Sequence, residues 1–287
     1  MSPTDNQHPL STEARRERER SVLSKAVTRA AENLALSRQL LGERVVLYRT
    51  EQGQVVALAD YCAHRAMPLS AGLVKGECIQ CPYHGLQYDP SGKCVVIPSQ
   101  QQIPRAMKVR SYPTVERWKW IWAWFGDPEK ADPALIPDHR TFGLDNADFW
   151  AVERFVMNLG GSYQLLHENL LDLSHVTFLH PGSFDNGAMA SAPATTEVEG
   201  NLIRISREVT EVMNAGFASI FSLEPGIRVR RNLTSRAWVP SLNVVTSTFN
   251  FPDEPGRPPA IRHSVFPITP ETATSCHYFI STAHNYG

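Results

Sequence analysis

The chain of 287 residues is 42% hydrophobic and has a formal net charge of −1 at pH 7, so it can bury one large or two ordinary domains. A charge so close to zero gives no field that attracts nucleic acid or an anionic membrane. The sequence has neither an apolar run of the roughly 20 residues that a membrane helix needs nor the apolar core of a secretory signal, so we expect a cytoplasmic protein.

The N-terminal part of the chain changes from a polar tail to strands. Residues 1–24 are polar and charged, and residues 24–41, rich in Ala, Leu, Arg and Glu, predict a helix. We therefore assign residues 1–36 to a polar and helical N-terminal extension. Residues 44–50 and 54–61 contain many β-branched residues and flank a Glu-Gln-Gly turn, which predicts a hairpin.

A second hairpin and a tryptophan-rich segment complete the first half of the chain. Residues 85–88 and 94–97 flank the turn-type sequence Asp-Pro-Ser-Gly, which predicts another hairpin. The alternating tryptophans of residues 118–124 predict a strand with all four indoles on one packed face. Because the three prolines of residues 126–137 indicate a linker, we predict a first domain over residues 37–137.

The second half of the chain, residues 138–287, combines a helix with several strands. Residues 151–159 predict a strand, and residues 162–176 predict a helix, because Ser162 is a favoured N-cap residue and the interior is rich in helix formers. Further β-like runs, separated by Gly and Pro turns, occupy residues 202–209, 228–239, 243–251 and 274–283. The pattern predicts an antiparallel sheet with a helix against it, so the fold class is α+β and mainly β.

Two short loops carry the first cluster of metal-binding residue types. Cys62 and His64 form a C-x-H loop, and Cys81 and His84 form a C-x2-H loop, with 16 residues between the two loops. Each loop supplies one thiolate and one imidazole, so adjacent loops can give both Cys to one iron and both His to the other, as in a Rieske [2Fe-2S] cluster. Zinc is the alternative, because Cys78 forms a C-x2-C pair with Cys81, but zinc knuckles order their ligands differently.

The second cluster lies at the end of the predicted helix. Asp172 and His175 are three residues apart on one helical face, so the carboxylate can accept a hydrogen bond from the imidazole and fix its tautomer. His175 and His180 point about 140° apart on an ideal helix, so both can bind one metal only if the helix widens or ends between them. Two imidazoles and a carboxylate form the facial triad of non-haem Fe(II) oxygenases. We predict that His175 and His180 bind mononuclear iron, and that His167 and Glu168 are an exposed pair.

Together these motifs resemble the oxygenase subunits of the vanillate O-demethylase, dicamba O-demethylase and toluenesulfonate methyl-monooxygenase group. The matching residues are Cys62-Ala-His64-Arg65, Cys81-Pro-Tyr-His84-Gly85, Gly126-Asp127-Pro128, Asn169-Leu-Leu-Asp172-Leu-Ser-His175, Thr269-Pro270-Glu271 and Cys276-His277-Tyr278-Phe279. The likeness extends from about residue 37 to the end. It implies a Rieske β-fold domain, a helix-grip catalytic domain over residues 138–287 and a head-to-tail homotrimer.

The resemblance also implies roles for individual residues. His84 would connect to Asp172 of the partner subunit, and that Asp172 to its own His175 on the mononuclear iron. Asn169 would lie beside the iron. The third iron ligand would be an aspartate beyond Gly287, so on this resemblance we expect the catalytic domain to be truncated at its C-terminus.

The implied activity is that of a terminal oxygenase. Such a component uses O2 and electrons from a separate flavin and iron-sulfur reductase, fed by NAD(P)H, to hydroxylate or O-demethylate an aromatic compound. One alternative is an aromatic ring-dihydroxylating dioxygenase. Another is a Rieske electron-transfer protein or inactive fragment without a working mononuclear iron, against which the D-x2-H-x4-H pattern argues.

Overall fold

Strands dominate the computed structural model, which describes residues 23–26, 35–180 and 187–286. The first part of the chain contains β1 (Leu23–Ala26), β2 (Leu36–Leu40), β3 (Glu43–Arg49), β4 (Val55–Ala59), β5 (Leu73–Lys75), β6 (Cys78–Gln80), β7 (Gln87–Tyr88), β8 (Cys94–Val96), β9 (Ser111–Tyr112), β10 (Thr114–Arg117) and β11 (Trp120–Ala123). The second part contains β12 (Trp150–Leu159), α1 (Tyr163–Leu171), α2 (Val176–Leu179), β13 (Ala194–Glu199), β14 (Leu202–Val212), α3 (Ala215–Ile220), β15 (Arg228–Trp238), β16 (Leu242–Asn250), β17 (Ala260–Pro270) and β18 (Cys276–His284). No helix in these described ranges is long and apolar enough to cross a membrane.

Three small antiparallel sheets form the first part, in the orders β2-β3-β4-β9, β5-β6-β7-β8 and β1-β11-β10. The two predicted hairpins are confirmed as β3–β4 and β7–β8. Buried side chains of both four-stranded sheets, among them Val45, Leu58 and Ile79, share one hydrophobic core. The β-branched residues that predicted these strands fill that core, because they pack well on a pleated surface.

The helix predicted for residues 24–41 is wrong at both of its described ends. β1 pairs with β11, and β2 pairs with β3. Helix propensity is a weak preference that tertiary context overrides. Here each segment instead forms main-chain hydrogen bonds with the edge of a neighbouring strand. Residues 1–22 and 27–34 lie outside the described residues, so the predicted extension over residues 1–36 stays a prediction there.

The tryptophan-rich segment is the end of a hairpin rather than one continuous strand. Trp118, with a φ of 55°, turns the chain from β10 into β11, so the strand predicted from Trp118 onward is wrong at its start. Trp120 and Trp122 are buried, with ring centroids 6.2 Å apart, in a cluster that joins both parts of the chain. Trp124 donates its indole N–H to the main-chain carbonyl of Asp127.

A seven-stranded antiparallel sheet forms the second part, in the order β12-β18-β17-β16-β15-β14-β13. The five predicted strands are confirmed as β12, β14, β15, β16 and β18, and α1 packs against the sheet, as the α+β fold class requires. The sequence pattern missed β13 because all of its residues are exposed, and it missed β17 because two prolines interrupt it.

Hydrogen bonds join the two parts of the chain. The turn between β2 and β3 donates two main-chain hydrogen bonds of 2.8 Å to the carbonyls of Pro270 and Glu271. The buried Nε2 atom of His277 lies 2.9 Å from the main-chain oxygen of Gln39. The predicted first domain is therefore held against the β17–β18 hairpin of the second.

His263 gives the sheet a testable dependence on pH. Burial, and then the charge of Arg236, lower the pKa of His263 to about 4. An unfolded histidine titrates near pH 6.5, so the unfolded state binds the proton first and the fold loses stability as the pH falls from about 6.5 towards 4.

We expect His263→Gln to reduce this loss by up to roughly 3 kcal/mol. Urea unfolding of the wild type and the variant at pH 7 and pH 4.5 measures the difference. An identical pH dependence in both proteins would show that His263 does not remain neutral in the fold.

Candidate metal centres

The two loops of the first cluster are the same turn used twice. In each loop, the Cys N–H donates to the carbonyl five residues later, at 2.8 Å, and the N–H four residues later donates back to the Cys carbonyl, at 2.8 Å for Cys62 and 3.1 Å for Cys81. The residue at that fourth position has a positive φ, 54° at Ala66 and 73° at Gly85. Glycine adopts this conformation freely, whereas it costs alanine roughly 1–2 kcal/mol. Both loops therefore hold their Cys at the same position of the turn, whereas the His follows it by two residues in the first loop and by three in the second.

Burial divides the four predicted ligands into two pairs. Cys62 and Cys81 are only 2% and 1% exposed, and their thiols interact directly. His64 and His84 are exposed, with ring centroids 4.8 Å apart. A Rieske cluster has one iron held by two thiolates and another held by two imidazoles, and this arrangement fits it. Because burial raises the pKa of Cys81, binding of the metal must drive the loss of the thiol proton.

Sequence reasoning missed two buried polar side chains that hold the first loop. Tyr88 Oη lies 3.2 Å from Cys62 Sγ and accepts the N–H of Ala63 at 3.0 Å, so its own O–H is available to the sulfur. The carboxylate of Asp60 accepts two hydrogen bonds from Ser70, at 2.7 and 2.8 Å. Asp60 directly follows β4, and Tyr88 is the last residue of β7. At such positions the alternation of apolar and polar residues predicts only a packing role, and no sequence spacing indicates a contact with the first loop.

α1 ends before His175, the first histidine of the second cluster. Ser162 caps the start of α1 as predicted, but the helix stops at Leu171 and Asp172 has an extended backbone with a ψ of 95°. The predicted helix to residue 176 is therefore wrong beyond Leu171. A separate turn, α2, begins after His175 and ends before His180, which brings the two rings to 5.5 Å between centroids.

A main-chain oxygen sets the tautomer of His175, whereas the sequence predicted that the Asp172 carboxylate would do so. Nδ1 of His175 is hydrogen-bonded to the carbonyl oxygen of Asp172, so Nδ1 carries the proton and Nε2 is left to bind a metal. The Asp172 carboxylate instead accepts the N–H and hydroxyl of Ser174. The Ser174 hydroxyl is the main cause that lowers the pKa of Asp172, so this exposed carboxylate is ionised at neutral pH.

The orientation of α1 decides which of the remaining predicted residues of this segment are exposed and which are buried. Asn169 and Glu168 are exposed. His167 is buried, with Nε2 3.0 Å from the carbonyl oxygen of Pro240, and burial lowers its pKa. The predicted exposed pair is therefore wrong for His167, because that residue lies on the side of α1 that packs against the sheet.

The donor chemistry of both histidine-containing sites fits iron, although the two sites provide different numbers of ligands. Within residues 23–26, 35–180 and 187–286, no three His, Cys, Asp or Glu side chains converge on one metal position. A Rieske cluster needs no such convergence, because the protein supplies only two ligands to each iron and sulfides complete the rest. His175 and His180 would supply the two imidazoles of a facial triad, and both their role as ligands and the third, carboxylate ligand stay predictions.

Comparisons with known proteins identify the family of each part of the chain. The Rieske [2Fe-2S] domain family matches residues 22–113, and the vanillate O-demethylase oxygenase C-terminal domain family matches residues 159–287. The iron-sulfur subunit of the toluene-4-sulfonate monooxygenase system of Comamonas testosteroni is 34% identical and covers 87% of this chain and 73% of its own. The vanillate O-demethylase oxygenase subunit of Pseudomonas sp. (strain HR199 / DSM 7063) is 35% identical, with corresponding coverages of 88% and 72%.

A solved structure extends the likeness to the whole fold. Dicamba monooxygenase with non-heme iron and dicamba superposes with a TM-score of 0.79 at 30% sequence identity, covering 94% of this chain and 78% of that one. The matched domain is a cluster-binding one, which favours the Rieske cluster over the zinc alternative.

Exchange of two cysteines tests the ligand set of the first cluster. We expect Cys81→Ser to abolish the visible absorption and the EPR signal of a reduced Rieske centre, because a hydroxyl is a poor substitute for a buried thiolate. Cys78→Ser is the matched control and should preserve both signals. Loss of the signals in Cys78→Ser but not in Cys81→Ser would reverse the assignment.

A phenol-to-phenyl exchange tests the hydrogen bond to Cys62. We expect Tyr88→Phe to lower the reduction potential of the cluster, because a hydrogen bond to a sulfur ligand favours the more negatively charged reduced state. Tyr112→Phe is the control, since the Tyr112 hydroxyl bonds Glu43 at 2.6 Å instead. A redox titration followed by EPR measures both potentials, and an unchanged potential in Tyr88→Phe would refute this role.

Proposed function

Because the chain belongs to the Rieske non-haem iron oxygenases of the vanillate O-demethylase and toluenesulfonate monooxygenase group, we propose that it hydroxylates a methoxyl or aryl methyl carbon of an aromatic compound. It is the oxygenase component of a multicomponent system, carries a Rieske [2Fe-2S] cluster and a mononuclear iron, and depends on a reductase for electrons. As finer proposals, the reductase contains a flavin and an iron-sulfur centre and is fed by NAD(P)H, and the oxygenase is a cytoplasmic homotrimer.

The convergence of His175 and His180 at the two ends of α2 is the observation that carries this proposal. We assign the mononuclear iron to these two residues and the cluster to Cys62, His64, Cys81 and His84. When bound, the cluster supplies single electrons and the mononuclear iron supplies oxygen activation. The contribution of the chain at His175 is to hold its proton on Nδ1 and so keep Nε2 available.

We assign Asp172 to the contact between subunits. Its carboxylate is exposed and ionised, and both Ser174 hydrogen bonds go to Oδ1. His84 is also exposed, and the ring of Tyr83 stacks on it at 3.9 Å. An exposed imidazole N–H and an exposed carboxylate are complementary partners for a charge-assisted hydrogen bond, here between His84 of one subunit and Asp172 of the next. Asn169, one helical turn before Asp172, would line the same site.

Product analysis tests the proposed reaction. The protein, supplied with a reductase and NADH, is incubated with aryl methyl ethers and with methylated arenesulfonates. We expect oxygen uptake matched by formaldehyde from the ethers or by a benzylic alcohol from the sulfonates, and no turnover in His175→Ala. A cis-dihydrodiol as the product would instead identify ring dihydroxylation.

A charge-removing substitution tests the role of Asp172. We expect Asp172→Asn to retain cluster and mononuclear iron but to turn over at least about 10-fold more slowly, because a neutral amide cannot replace the ionised partner of the proposed charge-assisted hydrogen bond to His84. Asp138→Asn is the matched control, since Asp138 also accepts the N–H two residues later, at 3.1 Å. Normal electron transfer in Asp172→Asn during a single turnover would refute the assignment.

A further inference from the structure

α2 is too short to hold its own shape. It has four residues, whereas isolated helices shorter than about 12 residues are marginal in water. Phe178 and Leu179 are 74% and 68% exposed, so burial of these side chains within the described chain does not fix the turn. The position of His175 relative to His180 must therefore depend on contacts from outside α2.

A short turn at residues 188–192, here named the support turn, provides such a contact on one side. Its Met189 is fully buried in a cluster with Leu173 and with Val209 and Leu233 of the sheet. Leu173 lies two residues before His175. The support turn thus fixes the extended segment that leads from α1 into the metal-binding residues.

The support turn also contacts α2 directly. The N–H of Ala190 donates to the hydroxyl oxygen of Thr177 at 3.1 Å. Thr177 lies between His175 and His180 in the chain. One turn therefore holds the segment both before its first histidine and between the two histidines.

Arg207 of β14 anchors the support turn to the sheet. Its Nη1 lies 3.0, 2.9 and 2.6 Å from the carbonyl oxygens of Met189, Ala190 and Ala192. Two N–H groups shared among three carbonyls form a three-centre arrangement. Since β14 pairs with strands on both sides, Arg207 projects from a rigid part of the sheet.

We propose that Arg207 and Thr177 are positioning residues for the mononuclear metal, with Arg207 acting through the support turn and Thr177. This inference rests on the proposed function, because it takes His175 and His180 as the ligands. Neither Arg207 nor Thr177 ligates the metal. Their effect is to keep the two imidazoles at the separation that one ion requires, as groups that orient the ligands do at other metal sites.

Metal affinity, rather than turnover, tests the proposal. The protein with an intact cluster is stripped of mononuclear iron and titrated anaerobically with Co(II). We expect Arg207→Met to weaken Co(II) binding by about 10-fold, the lower end of the loss seen when a hydrogen-bond partner of a metal ligand is removed, because Arg207 acts on the ligands through intermediate contacts. Thr177→Val, which removes the hydroxyl without changing the size of the side chain, should weaken binding by about 10-fold, and Thr177→Ser should restore it.

Three controls make the outcome specific. Arg204→Met removes another arginine of β14, one whose Nη1 bonds Glu197 at 2.8 Å, and should leave Co(II) affinity unchanged. The double variant Arg207→Met/Thr177→Val should bind no more weakly than Arg207→Met alone, because both changes break the same connection. The EPR signal of the reduced cluster should be unchanged in all of these proteins.

The failure of this inference differs from a failure of the proposed function. Wild-type Co(II) affinity in both Thr177→Val and Arg207→Met would overturn the positioning role, and Thr177→Val decides the matter if Arg207→Met does not fold. If instead the wild type binds no Co(II), or binds it equally well after His175→Ala, the proposed metal site itself is wrong.

Discussion

The constraint on which this structure depends is that two histidines five residues apart cannot reach one ion from an unbroken helix, because they point about 140° apart. The chain meets it by ending α2 at Leu179, so that His180 leaves helical geometry with φ −125° and ψ 50° while His175 stands at the other end of the same turn. α1 has already ended at Leu171, so α2 is a separate, single turn. An interrupted helix loses hydrogen bonds and cooperativity. The sheet compensates by supporting the break from outside, through the buried Leu173 and the hydrogen bond to Thr177.

The proposed cluster site depends on a backbone turn that occurs twice. Two copies of one turn bury a cysteine and expose a histidine, so the thiols that we propose as ligands lie in the core while the imidazoles lie at the surface. Burial of the two thiols would keep water from the iron that they hold, and exposure of the two imidazoles would let a partner approach the other iron. The hydrogen bonds from the β2–β3 turn to Pro270 and Glu271 hold this unit against the seven-stranded sheet.

Much of this organisation could be predicted from local patterns. The C-x-H and C-x2-H spacings predicted a Rieske cluster, which the matching domain family confirms, whereas the individual ligands stay a prediction. Alternation predicted the hairpins and most strands of the large sheet. Local patterns failed where distant contacts decide the outcome: β2 is a strand because β3 pairs with it, and His167 is buried because α1 turns it towards Pro240. Tyr88 carries no motif at all, since its role arises only when the hairpin brings it to Cys62.

The central claim is that one metal ion is bound by both His175 and His180. X-ray absorption at the zinc edge of protein with an intact cluster and Zn(II) in the mononuclear site observes that site separately from the cluster iron. The account predicts two imidazole nitrogens at about 2.0–2.1 Å from the zinc in the wild type, and one in either His175→Ala or His180→Ala. A wild-type spectrum with fewer than two imidazoles, or one that neither substitution changes, would contradict it.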